Sequence, residues 1–208
     1  MDEREDGLHW HTVHMLIAMA GLPGTGKSYL AGLLARRLDA VLLSVDLAES
    51  AMVKAGMWHN EATGQAAYFA IESMARQNLV LGRDVIVDAT NHLDRQRRLW
   101  MDLADGTGTD MVFLLSVCSD SAEHRRRLGK PYRKMPGLVE PDWDGVQQRN
   151  AETEPWGTEP RLAIDTAHEV NLEQVQTLIS CFGASQDAER VEISRPAARR
   201  ASRSALSA

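Results

Sequence analysis

One eight-residue run constrains what this chain can fold into more than any other feature, namely Gly21-Leu22-Pro23-Gly24-Thr25-Gly26-Lys27-Ser28. It follows the pattern G-x-x-x-x-G-K-[ST] at every position. The apolar segment before it predicts a strand from His14 to Ala20, and the amphipathic segment after it predicts a helix from Lys27 to Leu38. Glycines between a strand and a helix let backbone N–H groups turn inward and approach an anion closely. The helix that follows points its positive N-terminal end at the same anion. The run therefore predicts an anion-binding turn in an α/β domain.

The residue types in this run suit the phosphates of a nucleotide. Lys27 is a flexible point charge that can reach the β- and γ-phosphates, which makes it a candidate catalytic residue. Ser28 offers a hydroxyl to Mg²⁺. An ordinary glycine-rich turn is the alternative, and the flanking strand and helix argue against it. The candidate nucleotide-binding residues are Gly21, Leu22, Pro23, Gly24, Thr25, Gly26, Lys27, Ser28 and the neighbouring Tyr29.

Apolar runs alternate with helical patterns along the rest of the chain, which predicts the α/β class. Together with the glycine-rich run, this alternation predicts a P-loop NTPase fold. We expect a mainly parallel five-stranded sheet with helices on both faces. The further predicted strands are Ala40–Val45, Asp84–Val87, Met111–Val117 and Arg161–Asp165. The further predicted helices are Leu47–Gly56, Glu61–Leu81, Leu93–Ala104, Ser121–Leu128 and Asn171–Phe182.

This pattern divides the chain into one domain with two flanking segments. The domain spans 14–183 and follows an N-terminal segment, 1–13. Residues of about 125–157 are rich in proline and glycine between two helical patterns, which predicts a lid over the site. Residues 184–208 are mostly Ala, Ser and Arg, with few large apolar side chains, so we expect a disordered tail.

An acidic residue follows each of two predicted strands. Asp46 comes after the second strand and Asp88 after the third, and ligands of open α/β sheets bind at these strand ends. Phosphoryl transfer to a hydroxyl needs a carboxylate that orients the attacking oxygen and accepts its proton. Asp46 is the candidate for that catalytic role in the substrate site, and Asp88 for holding Mg²⁺ or substrate. The alternative is that each aspartate is only a helix N-cap.

The stretch Val85-Ile86-Val87-Asp88-Ala89-Thr90-Asn91, followed by Arg95, Arg97 and Arg98, resembles the D-x-T-N…R signature of polynucleotide-kinase-like P-loop kinases. Gluconate kinases and zeta toxins are more distant relatives of that group. The resemblance implies ATP and Mg²⁺ as cofactors. It also implies that Asp46 activates the acceptor hydroxyl, and that Asp88, Thr90 and Asn91 line the acceptor or metal site. Trp58 lies where such kinases often hold their acceptor.

Arginines near the predicted lid are candidates for stabilising the transferring phosphoryl group. The resemblance implies such a role for the helix that carries Arg125, Arg126 and Arg127. Helical spacing cannot direct all three at one ligand. We expect Arg126 and Arg133 to be catalytic and Arg127 to contact the nucleotide.

Charge and cysteine content bear on the partners. The net charge of −6 argues against non-specific nucleic-acid binding, so a small-molecule hydroxyl is preferred over a polynucleotide 5′-hydroxyl. Cys118 and Cys181 lie far apart and form no CxxC pair, which favours a reducing, cytoplasmic location. No apolar run reaches membrane-spanning length, so we expect no membrane partner. A zeta-toxin-like nucleotide-sugar kinase and a non-catalytic ATP-binding switch stay open, and the oligomeric state cannot be predicted.

Overall fold

The computed structural model describes residues 14–130, 135–139, 141–183 and 191–192. Strands and helices alternate through this part of the chain. The strands are β1 (Met15–Ala20), β2 (Val41–Ser44), β3 (Val85–Asp88), β4 (Asp110–Val117), β5 (Arg161–Asp165) and β6 (Val191–Glu192). The helices are α1 (Lys27–Leu38), α2 (Val45–Lys54), α3 (Glu61–Val80), α4 (Asp94–Thr107), α5 (Ser121–Leu128), α6 (Trp143–Glu152) and α7 (Leu172–Gly183).

All strand pairs in the sheet are parallel, and the strand order is β2-β3-β1-β4-β5-β6. The predicted five-stranded parallel sheet is confirmed. The two residues of β6 extend it by pairing beside Leu162 and Ala163 of β5. β1 lies between β3 and β4, so the carboxyl ends of these three strands face the glycine-rich run together.

Alternate residues of β1 supply the two cores of the domain. Leu16 and Ala18 pack on one face of the sheet, in a cluster that includes Trp100 of α4. Ile17 and Met19 pack on the other face, with residues of α1 and α7. Because β1 is buried on both faces, its sequence is continuously apolar, and the glycine-rich turn that follows it starts from a rigid strand.

The start of α2 and the end of β3 differ from the predicted boundaries, and both changes affect where a candidate aspartate lies. α2 begins at Val45, so Asp46 lies in its first turn and does not end a strand. The N-cap of α2 is Ser44, whose Oγ accepts a hydrogen bond of 3.4 Å from the Leu47 amide. Asp88 is the last residue of β3, and α4 has its N-cap at Leu93. The N-cap interpretation is therefore wrong for both aspartates.

The region predicted to be a lid contains α5 and α6, with residues 135–139 between them. Ser50 of α2 donates a hydrogen bond of 2.7 Å to the Pro136 carbonyl oxygen, which ties this segment to the domain. The predicted segments 1–13 and 184–208 lie outside the described residues, apart from β6. Within the described ranges, no helix is both long and apolar enough to cross a membrane.

Candidate active site

The glycine-rich run forms a tight turn between β1 and α1. Gly21, Gly24 and Gly26 have φ angles of 130°, 81° and 87°, a region that side chains disfavour. A Cβ on Gly21 would lie 2.3 Å from the Ser116 carbonyl oxygen, so this position excludes any side chain. Inside the turn, Thr25 donates to the Leu22 carbonyl oxygen through its hydroxyl, at 2.8 Å. The turn therefore has the compact backbone that a phosphate cradle needs.

Three side chains from neighbouring strands and helices hold this turn in place. Ser116 of β4 and Thr166, just after β5, donate to the Thr25 carbonyl oxygen at 2.7 and 2.6 Å. The His124 Nε2 of α5 lies 2.7 Å from the Pro23 carbonyl oxygen. The sequence analysis missed these residues. A hydroxyl at the carboxyl end of a predicted strand, β4 for Ser116 and β5 for Thr166, was the available signal for the first two.

The first residues of α1 bring a cation and a hydroxyl to the turn. Lys27 is only 7% exposed and lines the cavity beside the turn. Ser28 donates from Oγ to Asp88 Oδ1 at 3.1 Å, and Asp88 is almost completely buried beneath it. A hydroxyl and a carboxylate are oxygen donors of the kind Mg²⁺ prefers, so Ser28 and Asp88 fit the predicted metal site. Tyr29 also borders the cavity and is about half exposed.

The turn opens into one large cavity with a volume of about 1260 Å³. Its walls come from the turn itself, α2, α3, the β3–α4 loop, α5 and α6. Asp46 lines it from the first turn of α2, so the structure brings Asp46 and Lys27 to the same cavity. This volume exceeds the range of about 300–1,000 Å³ that is usual for single small-molecule sites, so it can hold a nucleotide and a second ligand together.

Glu49 lies one helical turn after Asp46 and lines the same wall. Its side chain is 16% exposed, and its Oε1 lies 3.4 Å from the His59 Nε2. Burial raises the pKa of Glu49, His59 opposes that rise, and the negative charge of Asp46 adds to it. The sequence analysis did not select Glu49, although helical spacing from Asp46 could have identified it.

The cavity lining includes three further groups that the sequence analysis missed. His92, in the β3–α4 loop, has its pKa lowered to about 4 by burial and by the nearby charge of Arg149. Arg149 lines the cavity from α6. Burial raises the pKa of Tyr68, whose hydroxyl accepts a 3.4 Å hydrogen bond from the Asn91 amide. His92 and Tyr68 are therefore neutral at pH 7.

The three arginines of α5 have different surroundings. Arg126 is 61% exposed, lines the cavity and forms a two-pronged ion pair with Glu123 at 2.6 and 2.8 Å. Arg127 also lines the cavity, but it donates to Glu123 and to both oxygens of Thr166. These donors lower the pKa of Glu123 to about 2. Arg125 instead stacks on the Trp143 ring at 4.4 Å.

The remaining predicted site residues do not all lie at the cavity. Thr90 lines the cavity, and its carbonyl oxygen accepts a 3.1 Å bond from the Gly21 amide. Asn91 does not line it: the side chain is fully buried, donates to the Met19 carbonyl oxygen and accepts from the Trp100 indole. Trp58 is 84% exposed and does not line the cavity, because α3 starts just after it and its side chain points to solvent. Arg133 lies outside the described residues.

Comparison with solved structures shows which fold this is. An APS kinase from Mycobacterium tuberculosis, CysC, in complex with AMPPNP and APS, is 20% identical with a TM-score of 0.57, and the match covers 83% of this chain and 99% of that one. Kti12 from Chaetomium thermophilum with ADP-AlF3 is 17% identical, with a TM-score of 0.60 and coverage of 83% and 100%. A gluconokinase from Sinorhizobium meliloti 1021 is 19% identical, with a TM-score of 0.55 and coverage of 81% and 91%.

These likenesses establish a P-loop kinase fold and, at such identities, nothing finer. No curated protein matches the sequence significantly. A family model described as an AAA domain matches residues 16–180, from β1 to α7. Since that match includes most of the chain, the protein belongs to the AAA_33 family of AAA domains.

Proposed function

We propose that this protein is an ATP-dependent kinase that transfers the γ-phosphate of ATP to a hydroxyl group of a small molecule. The observation that carries the proposal is the shared cavity, in which the Lys27 end of the glycine-rich turn and the Asp46 carboxylate line one space. ATP is the proposed nucleotide because two proteins of similar fold were solved with an ATP analogue or with ADP-AlF3.

Nucleotide binding is the first task of the chain in this proposal. The backbone N–H groups of the turn and the N-terminal end of α1 hold the phosphates, and Lys27 neutralises charge on the β- and γ-phosphates. Tyr29 and Arg127 border the same region of the cavity. Ser28 and Asp88 would hold Mg²⁺, which supplies further charge neutralisation when bound.

Asp46 is the proposed general base. It orients the acceptor hydroxyl and accepts its proton as the new oxygen–phosphorus bond forms. The bond between the γ-phosphorus and the bridging oxygen breaks, and ADP leaves with the electron pair. Arg126 neutralises the charge on the transferring group, because its contact with Glu123 is an exposed ion pair that a phosphate could replace. Arg133 stays a candidate for the same role.

The proposed acceptor site differs from the sequence prediction. Thr90 stays in it, since it lines the cavity. We leave out Trp58, which points to solvent, and Asn91, whose buried amide donates to Met19 of β1 and accepts from Trp100 of α4. A small molecule is favoured over an oligonucleotide because carboxylates outnumber guanidinium groups where α2, the start of α3, the start of α4 and α6 line the cavity.

The test is ADP release from Mg·ATP with a set of hydroxylated metabolites and a 5′-hydroxyl oligonucleotide. We expect release to depend on one or more small molecules and to fall by at least about 100-fold in Lys27→Ala and in Asp46→Asn. Asp46→Asn should still bind nucleotide, whereas Asp39→Asn, at the exposed C-terminal end of α1, should be fully active.

Transfer only to a nucleotide sugar would narrow the acceptor to that of a zeta-toxin-like enzyme. Two other results would contradict the proposal. Transfer only to the oligonucleotide would identify a polynucleotide kinase. ATP binding without transfer to any acceptor would identify a binding switch.

A further inference from the structure

One part of the cavity wall is formed by α2, the α2–α3 loop and start of α3, the β3–α4 loop, the start of α4 and α6, and we call it the acceptor side. Eight of the described residues that line it are ionisable, and they comprise four carboxylates, two guanidinium groups and two imidazoles. They are Asp46, Glu49, His59, Glu61, His92, Arg95, Arg149 and Glu152.

The balance of these charges is negative. Arg95 and Glu61 neutralise each other in an ion pair of 2.7 Å at the exposed rim. His92 is neutral at pH 7, because its pKa is about 4. Among these eight described residues, four carboxylates face two guanidinium groups, so their summed charge is negative whatever the charge of His59 beside Glu49. The acceptor side therefore disfavours an anionic ligand and attracts a neutral or positively charged one.

Glu49 is the carboxylate in this group that is best placed to hold an acceptor beside the reacting hydroxyl. It follows Asp46 by one helical turn, so the two carboxylates lie on the same face of α2. Its side chain is mostly buried, and its partner there is an imidazole at 3.4 Å. A carboxylate has more hydrogen-bond acceptor sites than one imidazole can use.

The neighbouring helix leaves room for a ligand in front of Glu49. Gly64 of α3 lines the cavity, and its missing Cβ would lie 3.5 Å from Glu49 Oε1. Glycine inside a helix is unfavourable compared with alanine, so its presence in α3 calls for a reason. Space beside the carboxylate is such a reason.

We propose that Glu49 is a specificity-determining residue, and that the acceptor is a neutral or amine-bearing polyhydroxyl compound. Asp46 takes the reacting hydroxyl, and Glu49 accepts a hydrogen bond from the neighbouring hydroxyl or ammonium group. This inference rests on the proposed kinase activity. It goes further by giving the charge class of the acceptor and the residue that selects it.

The experiment compares acceptors in matched sets that differ only in charge, of which glucosamine, glucose and gluconate are one. Further sets pair other amino polyols and neutral polyols with their carboxylated or phosphorylated counterparts. ADP release from Mg·ATP is measured for each compound. We expect the best acceptor to be neutral or amine-bearing, and its kcat/KM to fall by at least about 10-fold in Glu49→Gln. The KM for ATP should not change.

Glu173→Gln is the matched control, because it makes the same substitution in the first turn of α7, where the side chain is exposed and does not line the cavity. A second variant, Gly64→Val, fills the space beside Glu49 and should lower kcat/KM for the acceptor while leaving nucleotide binding intact. Melting temperatures with and without an ATP analogue establish that each variant is folded.

Each result has one meaning. A preference for anionic acceptors, or full activity of Glu49→Gln with the best acceptor, overturns this inference and leaves the kinase proposal standing. Stimulation by no compound in any charge class contradicts the kinase proposal itself, and the inference falls with it. A higher kcat/KM for amine-bearing than for neutral acceptors would identify the group that donates to Glu49 as an ammonium. A higher kcat/KM for neutral acceptors would identify it as a second hydroxyl.

Discussion

The Ser28 hydroxyl donates a 3.1 Å hydrogen bond to the buried carboxylate of Asp88. This bond joins the first turn of α1 to the last residue of β3, two elements that are 60 positions apart in the chain. The Ser44 hydroxyl lies 3.5 Å from the other oxygen of the same carboxylate. Asp88 therefore has hydroxyl donors on both sides, at the point where a magnesium ion would sit against the glycine-rich turn.

Asp88→Asn tests whether this carboxylate serves a metal ion. Asparagine keeps the shape and an oxygen that Ser28 can donate to, but it removes the negative charge. We expect the Mg²⁺ concentration needed for half-maximal nucleotide binding to rise by about 10- to 100-fold. Titration of Mg²⁺ into the protein in the presence of AMPPNP measures this concentration.

Asp84→Asn is the control for that substitution, because Asp84 precedes the same strand at its other end and accepts a bond from the Met15 amide. It should leave the Mg²⁺ requirement unchanged. An equal Mg²⁺ requirement in the Asp88 variant and the wild type would show that Asp88 has only a structural role.

Gly21→Ala should destabilise the domain. The φ angle of 130° is strained for alanine, and the new Cβ would lie 2.3 Å from a backbone oxygen of β4. We expect the free energy of unfolding to fall by at least about 2 kcal/mol. Gly108→Ala separates the strain of the φ angle from the steric clash, since Gly108 has a φ of 62° with no described atom within 4 Å of its Cβ position. We expect this substitution to lower the free energy of unfolding by about 1 kcal/mol. Urea unfolding measures both, and equal losses would contradict the close approach.

The three arginines of α5 should respond differently to alanine substitution. Arg126→Ala should lower kcat by at least about 100-fold, because it removes a mobile charge from the cavity. Arg125→Ala should leave kcat unchanged and cost only about 0.5–1 kcal/mol of stability, since it loses the stacking on Trp143. Steady-state kinetics and urea unfolding check these outcomes. A larger loss of kcat in the Arg125 variant would reverse the assignment.

His92 should make stability fall in mild acid. Its pKa in the folded protein is about 4, while an unfolded chain binds the proton near 6.5. Between these values the unfolded state binds more protons, so the free energy of unfolding decreases as the pH falls. From pH 7 to pH 5 we expect a loss of about 1 kcal/mol, reduced by solvent screening.

His92→Gln should remove that part of the pH dependence, which urea unfolding at both pH values measures. His168→Gln replaces an exposed histidine and serves as the control. An unchanged difference between pH 7 and pH 5 in the His92 variant would show that another group causes the loss.

The sequence predicted the parts of the fold that depend on local pattern. The predicted bounds of α1, α5 and β5 match the observed ones, because each has a clear periodicity between strong boundary residues. The start of α2 was misplaced because Ser44, a good N-cap, lies within an apolar run that also suits a strand. That shift moved Asp46 from a strand end into a helix without removing it from the cavity.

The side chains of the site depend on packing that one sequence does not reveal. Asn91 looked like a ligand, but the buried Trp100 indole and the Met19 carbonyl oxygen use its amide. Trp58 looked like a pocket wall, but the start of α3 leaves it in solvent. Glu49 and Arg149 reach the cavity through the packing of α2 and α6, which no motif encodes.

The most direct test of the account is calorimetric titration of the protein with AMPPNP and Mg²⁺. We predict that one nucleotide binds per chain. Lys27→Ala should weaken the affinity by at least about 100-fold, and Lys54→Ala, at the far end of α2, should leave it unchanged. Absence of nucleotide uptake by the folded wild-type protein would contradict it.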